Sequence, residues 1–175
     1  MTRVATATGN MIARSMLEEF ERELATTRRF LERVPGDRLS WRPHAKSMSA
    51  GQLAHHIAET PGMALQFGLL DRAAAPGFGV RTEARSVPDV LAVLDAGAAY
   101  VRETLPTVED ARMNAAFTID MPDGSVLELP RHRFFRTIML NHWYHHRGQL
   151  GVYLRMLDVP VPSSYGPSGD EQGGI

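Results

Sequence analysis

Cysteine is missing from the 175-residue sequence. Its absence excludes disulfides, thiolate metal sites and cysteine nucleophiles, and it leaves the redox compartment undetermined. Any bound metal must therefore use nitrogen and oxygen ligands.

An excess of charge of one sign is also lacking, because 19 Lys and Arg residues stand against 20 Asp and Glu residues. A nucleic-acid-binding protein usually gathers a basic excess on one face. We interpret the short clusters Arg28-Arg29 and Arg131-His132-Arg133 as solvated helix surface. The sequence predicts no nucleic-acid partner.

Long hydrophobic runs are absent too. No segment approaches the ~20 apolar residues of a membrane span, and residues 1–10 lack the apolar core of a signal peptide. We therefore expect no membrane partner and a cytoplasmic location. A composition of 43% apolar and 22% charged residues is that of an ordinary globular protein, and we expect one domain over residues 1–175.

Four amphipathic helices are predicted from apolar residues that recur at three- and four-residue spacing. Ser49 and Gln52 form a capping-box pattern at the start of the second helix, and Pro61-Gly62 within it predicts a kink or a break. Ser86 begins the third helix, in which Gly97 should permit the close approach of a neighbour. The predicted helices cover residues 11–34, 49 onward, 86–105 and 131–157.

Two segments do not follow the helical period. Residues 73–85 are rich in Ala, Gly and Pro and are interpreted as a mobile loop. Residues 117–129 alternate apolar and polar side chains around Pro122-Asp123-Gly124, which predicts a short hairpin. The expected fold class is all-α, a four-helix bundle with a small β-hairpin insertion before the last helix.

Helical phase sorts the histidines of the two helices that carry most of them. At about 100° per residue, His142 and His146 lie on the same predicted core-facing stripe of the last helix, with His145 at its margin. On the second helix, His56 points inward and His55 points outward. The stripe with His142 also contains Phe135, Ile138, Met139, Gln149, Tyr153 and Met156, whereas Arg133, Arg136, Arg147 and Arg155 fall opposite.

Three inward imidazole rings need compensation, because a buried polar group without a partner costs about 1–3 kcal/mol. A shared cation would satisfy all three and leave coordination positions open. The alternative is that each ring simply forms hydrogen bonds in the core, as single buried histidines usually do. A His-Glu-x-x-His protease site is excluded, since Trp143 stands in the place of the glutamate.

The sequence resembles the DinB family, also called DinB/YfiT-like, over nearly the whole chain. The resemblance rests on four motifs, which are Trp41-Arg42-Pro43, the run Leu53-Ala54-His55-His56-Ile57-Ala58-Glu59, the run His142-x-x-x-His146-Arg147-Gly148-Gln149-Leu150, and Tyr165-Gly166-Pro167-Ser168-Gly169-Asp170-Glu171.

This resemblance implies an up-up-down-down four-helix bundle that is often a homodimer. It also implies a divalent metal ion, zinc or nickel above all, held by His56, His142 and His146. Some members resemble thiol-dependent transferases that use low-molecular-weight thiols. A shared fold does not by itself select a reaction.

Three hypotheses of function follow. The first is a metal-dependent enzyme of the thiol-dependent transferase or hydrolase type that acts on a small-molecule substrate, and the second is a non-enzymatic, stress-related module that binds a metal or small ligand. The third is a dimeric bundle whose histidines only form hydrogen bonds, with an interface at Leu140, Trp143 and Tyr144. Residues that could assist a metal are Glu59, Gln149 and Tyr153, and also Asp170 and Glu171 if the C-terminal tail folds back rather than staying mobile.

Overall fold

The computed structural model describes residues 9–76 and 81–173, and it is mostly helical with one small sheet. The last helix is built from two α-helical parts with a π-helical segment, Phe135–Asn141, between them. Within the described residues, none of the helices is both long and apolar enough to cross a membrane. The α-helices are α1 (Met11–Glu32), α2 (Ala50–Gly68), α3 (Val87–Thr104), α4 (Asp110–Asn114), α5 (Arg131–Phe134) and α6 (His142–Met156).

The helix starts that were predicted from capping residues are confirmed. The Ser49 hydroxyl accepts the Gln52 backbone N–H at 3.0 Å, and the Gln52 side chain accepts the Ser49 backbone N–H at 2.9 Å. At the start of α3, the Ser86 hydroxyl accepts the Asp89 backbone N–H at 3.2 Å. Each cap satisfies a backbone donor that the helix itself leaves free.

A kink or a break was predicted at Pro61, and the break is wrong, because α2 continues through this residue to Gly68. Proline has no N–H for the carbonyl four residues earlier, which is that of Ile57. The indole Nε1 of Trp143 donates to this carbonyl at 2.9 Å. The buried tryptophan therefore replaces the missing helix hydrogen bond and ties α2 to α6.

Helix α2 packs against α3, α6 and the π-helical segment, while α1 packs against α3 and α6. The backbones of α2 and α3 come closest at Gly62 and Gly97. A Cβ atom on Gly62 would lie 3.0 Å from the Cα atom of Gly97. The prediction that Gly97 permits a close approach is confirmed.

Gly62→Ala is expected to lower the free energy of unfolding by about 1–3 kcal/mol, because the added methyl group meets backbone atoms that cannot move aside. Gly148→Ala is the matched control, since a Cβ atom at this glycine of α6 meets no atom within 4 Å. It should leave stability unchanged or raise it by about 0.4–1 kcal/mol. Urea unfolding followed by circular dichroism measures both, and equal values for the two variants would contradict the close packing.

The predicted hairpin is confirmed as strands β2 (Ala116–Asp120) and β3 (Val126–Pro130), which pair antiparallel. Its turn contains Gly124 at φ 82°, a left-handed conformation that glycine adopts without strain. A third strand, β1 (Arg72–Ala74), pairs parallel with β2. It lies where a mobile loop was predicted over residues 73–85, of which residues 77–80 lie outside the described part of the chain.

Two arginines that were predicted to be solvated are buried, Arg131 at 0% exposure and Arg147 at 2%. Arg131 donates to Asp71 at 2.7 Å and to the Leu70 carbonyl at 2.7 Å. Arg147 pairs with Glu23 on α1 at 2.5 Å. A guanidinium can be buried when its charge is paired. Both arginines pair with a carboxylate, although Nε of Arg131 has no hydrogen-bond partner among the described residues.

The interface that was predicted at Leu140, Trp143 and Tyr144 is wrong for Leu140 and Trp143, because both residues are fully buried, whereas Tyr144 is half-buried. Trp143 stacks on Phe20 of α1 with ring centroids 5.3 Å apart. The buried arc of α6 centres about 80° from His142 rather than on it, and Met156, predicted to be inward, is 54% exposed. The last helix thus packs against α1 as well as α2, and the histidines lie toward one edge of its buried face.

Candidate metal centre

His56, His142 and His146 converge although they come from two helices. His56 lies in α2, and the other two lie one turn apart in α6. The Nε2 atom of His142 is 3.1 Å from the Nε2 atom of His56 and 3.1 Å from that of His146. One nitrogen from each of the three rings lies within 4.8 Å of the others.

These separations suit a single ion. Nitrogen ligands bind zinc at about 2.0–2.1 Å, which places adjacent ligand atoms about 2.8–3.4 Å apart between octahedral and tetrahedral angles. The two 3.1 Å distances at His142 fall within that range.

The outer nitrogens of two of the rings contact oxygen atoms. Gln149 Oε1 lies 2.9 Å from Nδ1 of His146, and Glu59 Oε1 lies 3.4 Å from Nδ1 of His56. Because the amide oxygen of Gln149 can only accept, Nδ1 of His146 carries the proton and its Nε2 presents a lone pair to the centre. Nδ1 of His56 also faces a donor, Nη1 of Arg81 at 3.3 Å, and it carries the proton when it bonds to Glu59. Metal-ligating histidines are commonly oriented in this way.

Without a cation the centre cannot satisfy all of its nitrogens. With protons on Nδ1 of His56 and His146, two Nε2 lone pairs face Nε2 of His142. His142 can donate one hydrogen from this atom, and thus can satisfy only one of the two. A positive ion in contact with all three nitrogens removes this conflict.

Burial keeps the rings of His142 and His146 neutral. His56 and His146 are 8% and 7% exposed, and burial lowers the pKa of His146 to about 4 even though its bond to Gln149 acts in the opposite direction. The pKa of His142 is also lowered, first by burial and then by the neighbouring charges of His56, His145 and Arg81. At neutral pH the lone pairs of His142 and His146 are therefore available to a metal.

The position of Arg81 was not predicted. Its Nη1 atom lies 3.3 Å from Nδ1 of His56, and its backbone carbonyl accepts from the Gln52 side chain at 3.5 Å. Arg81 lies in the segment between β1 and α3, where the sequence has no period that would orient a side chain. In the sequence, only its positive charge distinguishes Arg81 from the residues around it.

His55 does not point outward as predicted. Its side chain is 18% exposed, and Nδ1 lies 3.3 Å from Oε2 of Glu59 without the alignment of a hydrogen bond. The prediction is wrong because α2 is buried around most of its circumference. His145 is exposed, as expected for a residue at the margin of the stripe.

Tyr153 is buried, but its hydroxyl donates to the Met48 carbonyl at 3.2 Å. Its ring also meets the edge of Trp41 with centroids 5.5 Å apart. Tyr153 therefore anchors the loop before α2 rather than assisting the histidines, which is the structural alternative that the sequence left open.

The C-terminal segment folds back, but onto arginines and not onto the histidines. Asp170 pairs with Arg155 and accepts the Val161 backbone N–H at 2.8 Å. Glu171 pairs with Arg33, the residue that follows α1, at 3.0 Å. Glu59 and Gln149 fill the role at the outer nitrogens that was considered for these two acids.

A cavity of about 580 Å³ lies between α6 and the C-terminal segment, and none of the three histidines lines it. A smaller groove of about 260 Å³ runs between α2 and α3 and is lined in part by Glu59. We place the candidate chemistry at the histidines, because their donor atoms converge and cavity size alone supplies no reactive group.

Comparison with known proteins gives concordant findings. Residues 19–150, which include all three histidines, match the DinB superfamily. The chain is 25% identical over 159 residues to the uncharacterized protein YrdA of Bacillus subtilis, with 89% of each chain covered.

Two solved structures share the fold. A DinB-like protein from Bacillus cereus superposes with a TM-score of 0.64 at 22% identity, over 85% of this chain and 95% of that one. The DinB-like protein YjoA from Bacillus subtilis gives a TM-score of 0.65 at 18% identity, with the same coverage.

Proposed function

This chain belongs to the DinB superfamily, and from that membership together with the convergent rings we propose that it binds one divalent metal ion through His56, His142 and His146. The observation that carries the proposal is the pair of 3.1 Å Nε2–Nε2 distances at His142. Zinc and nickel are the proposed ions, since both accept imidazole nitrogen. The up-up-down-down bundle, the single domain over residues 1–175 and a homodimer belong to the same proposal.

We further propose that the protein is a metal-dependent enzyme of the thiol-dependent transferase or hydrolase type. Within the described residues, no fourth His, Asp or Glu joins the three histidines as a ligand, so coordination positions stay open. A divalent ion in such a site lowers the pKa of a bound thiol or water. Gln149 and Glu59 would hold the protons on Nδ1 and fix the direction of the rings.

A second candidate is a non-enzymatic metal-binding or sensing module. The burial of His56 and His146, each less than one-tenth exposed, favours it because an enclosed ion is poorly accessible to substrate. Metal-dependent turnover of a substrate would distinguish the enzyme from the non-enzymatic module.

The test begins with calorimetric titration of the full-length protein with zinc and nickel. One ion per chain is expected, and a protein that binds neither metal would overturn the proposal. The loaded protein is then assayed with thiols together with activated electrophiles, and with activated esters. Metal-dependent turnover supports the enzyme, and tight binding without turnover supports the sensing module.

Gln149→Ala is expected to weaken zinc binding about 10–100-fold, because groups that orient ligating histidines typically contribute that much. Gln149→Glu should retain the affinity, since a carboxylate can accept the same N–H. Tyr153→Phe is the control, as its hydroxyl bonds to Met48 and not to a histidine. Competition with a chelator measures all three, and an unchanged affinity in Gln149→Ala would show that this contact does not orient a ligand.

A further inference from the structure

The guanidinium of Arg81 makes a contact that metal binding would break. Its Nη1 atom lies 3.3 Å from Nδ1 of His56, and a guanidinium can only donate. If Nε2 of His56 binds a metal, Nδ1 carries the ring proton and also becomes a donor. Two donors cannot share a hydrogen bond, so this contact is incompatible with the liganded ring.

The proton on Nδ1 has another acceptor nearby, whereas Arg81 has no acid partner in the part of the chain that the structure describes. Glu59 Oε1 lies 3.4 Å from Nδ1 of His56 and can take the bond. The nearest acid in sequence, Glu83, lies 3.8 Å from Arg42 and accepts from Ser49 at 2.9 Å. Across residues 9–76 and 81–173, no carboxylate forms an ion pair with Arg81.

Arg81 reaches His56 from the segment between β1 and α3. The bond from Gln52 to its backbone carbonyl holds the residue beside the start of α2. A cation that forms no ion pair with a described carboxylate is thus placed next to His56, one of the three proposed ligands. A positive charge there opposes the binding of a cation, which a purely structural role would not explain.

Resting on the proposed metal site, we propose that Arg81 recognises the anionic group of a small-molecule substrate or co-substrate, of the carboxylate class, that binds at the open side of the ion. A guanidinium provides a planar pair of donors that matches a carboxylate and keeps its charge at all physiological pH values. Metal binding frees these donors from His56 and makes them available to the ligand. Arg81 is therefore a specificity-determining residue.

The test uses the full-length protein loaded with cobalt(II), whose visible spectrum reports ligands that enter open positions. Azide and acetate are the anionic probes, and imidazole is the neutral probe. Arg81→Ala is expected to weaken azide and acetate binding about tenfold or more, the effect of losing one charge-assisted interaction. Imidazole binding should not change, and cobalt affinity should stay equal or increase.

Two further variants separate recognition from structure. Arg85→Ala removes an exposed arginine from the same segment and should behave as the wild type. Arg81→Lys should restore part of the anion affinity, because it restores the charge without the fork of donors.

The possible failures are distinguishable. Equal anion affinity in the wild type and Arg81→Ala, or an equal loss for azide and imidazole, would overturn the role of Arg81 while leaving the metal site intact. Cobalt binding without any spectral response to the probes would mean a closed site and would also overturn this role. A wild-type protein that binds no cobalt would overturn the metal site itself.

Discussion

His142→Ala is expected to lower the affinity for zinc or nickel by at least about 100-fold, more than the loss of a group that only orients a ligand. His142 is the ring that joins the other two, because its Nε2 atom lies 3.1 Å from Nε2 of both His56 and His146. His146→Ala should have a comparable effect. Calorimetry and metal analysis of the purified variants measure the loss.

Two neighbouring histidines provide the controls. His145→Ala changes an exposed residue of the same helix, and His55→Ala changes the residue next to His56. Both variants should retain one ion per chain. Equal occupancy in His142→Ala and the wild type would show that the metal, if any, binds elsewhere.

Trp143→Ala is expected to reduce the free energy of unfolding by about 3–5 kcal/mol, the usual cost of removing a large buried aromatic side chain. The indole is fully buried, stacks on Phe20 and donates to the Ile57 carbonyl. Since α2 carries His56 and α6 carries its partners, the variant should also bind metal less tightly. Urea unfolding of the metal-free protein isolates the effect on stability.

The hydrogen bond of Trp143 can be tested separately by combining Trp143→Phe with Pro61→Ala. Phenylalanine leaves the Ile57 carbonyl buried without a donor, at a cost of about 1–3 kcal/mol. Alanine at position 61 restores the backbone N–H that the helix lacks. Trp143→Phe should therefore cost about 1 kcal/mol less in the Pro61→Ala background, and strictly additive effects would contradict the proposed substitution of one donor for another.

Local signals predicted a large part of the fold and the site. Ser49 with Gln52 and Ser86 fixed two helix starts, because a cap depends on residues close in sequence. The predicted core-facing stripe of the last helix was rotated from the observed one. The prediction that His142 and His146 lie on the same face is still correct, because residues four apart share a face whichever way the helix is turned. His56 required a second helix, and its inward direction agreed with the phase of Leu53 and Ile57.

The helical phase predicts which way a side chain points but not how many helices pack around its own helix. The wrong predictions for the last helix follow from this. Arg147 and Trp143 were assigned to an outer face, yet both contact α1, at Glu23 and Phe20 respectively. Leu140 was assigned to that face as well and is fully buried. The π-helical segment before α6 also shifts the helical phase by its wider turn. None of these effects can be obtained from a pattern of constant period.

Other features depended on contacts between distant segments. Strand β1 has three residues, Arg72–Ala74, which is too short for an alternating pattern to emerge. Arg81 lies between β1 and α3, far from α2 in the predicted pattern, and contacts His56 of α2. A signal was present for Glu59 and Gln149, since each stands three residues after a histidine and thus on the same helical face.

X-ray absorption spectroscopy at the zinc edge of the loaded protein tests the central claim most directly. Three imidazole nitrogens at about 2.0–2.1 Å are expected, with one or more oxygen ligands completing the shell. The imidazole scattering should fall in His142→Ala and persist in His145→Ala. A shell of oxygen atoms without imidazole scattering, or one that is identical in the wild type and His142→Ala, would contradict a metal site at these three histidines.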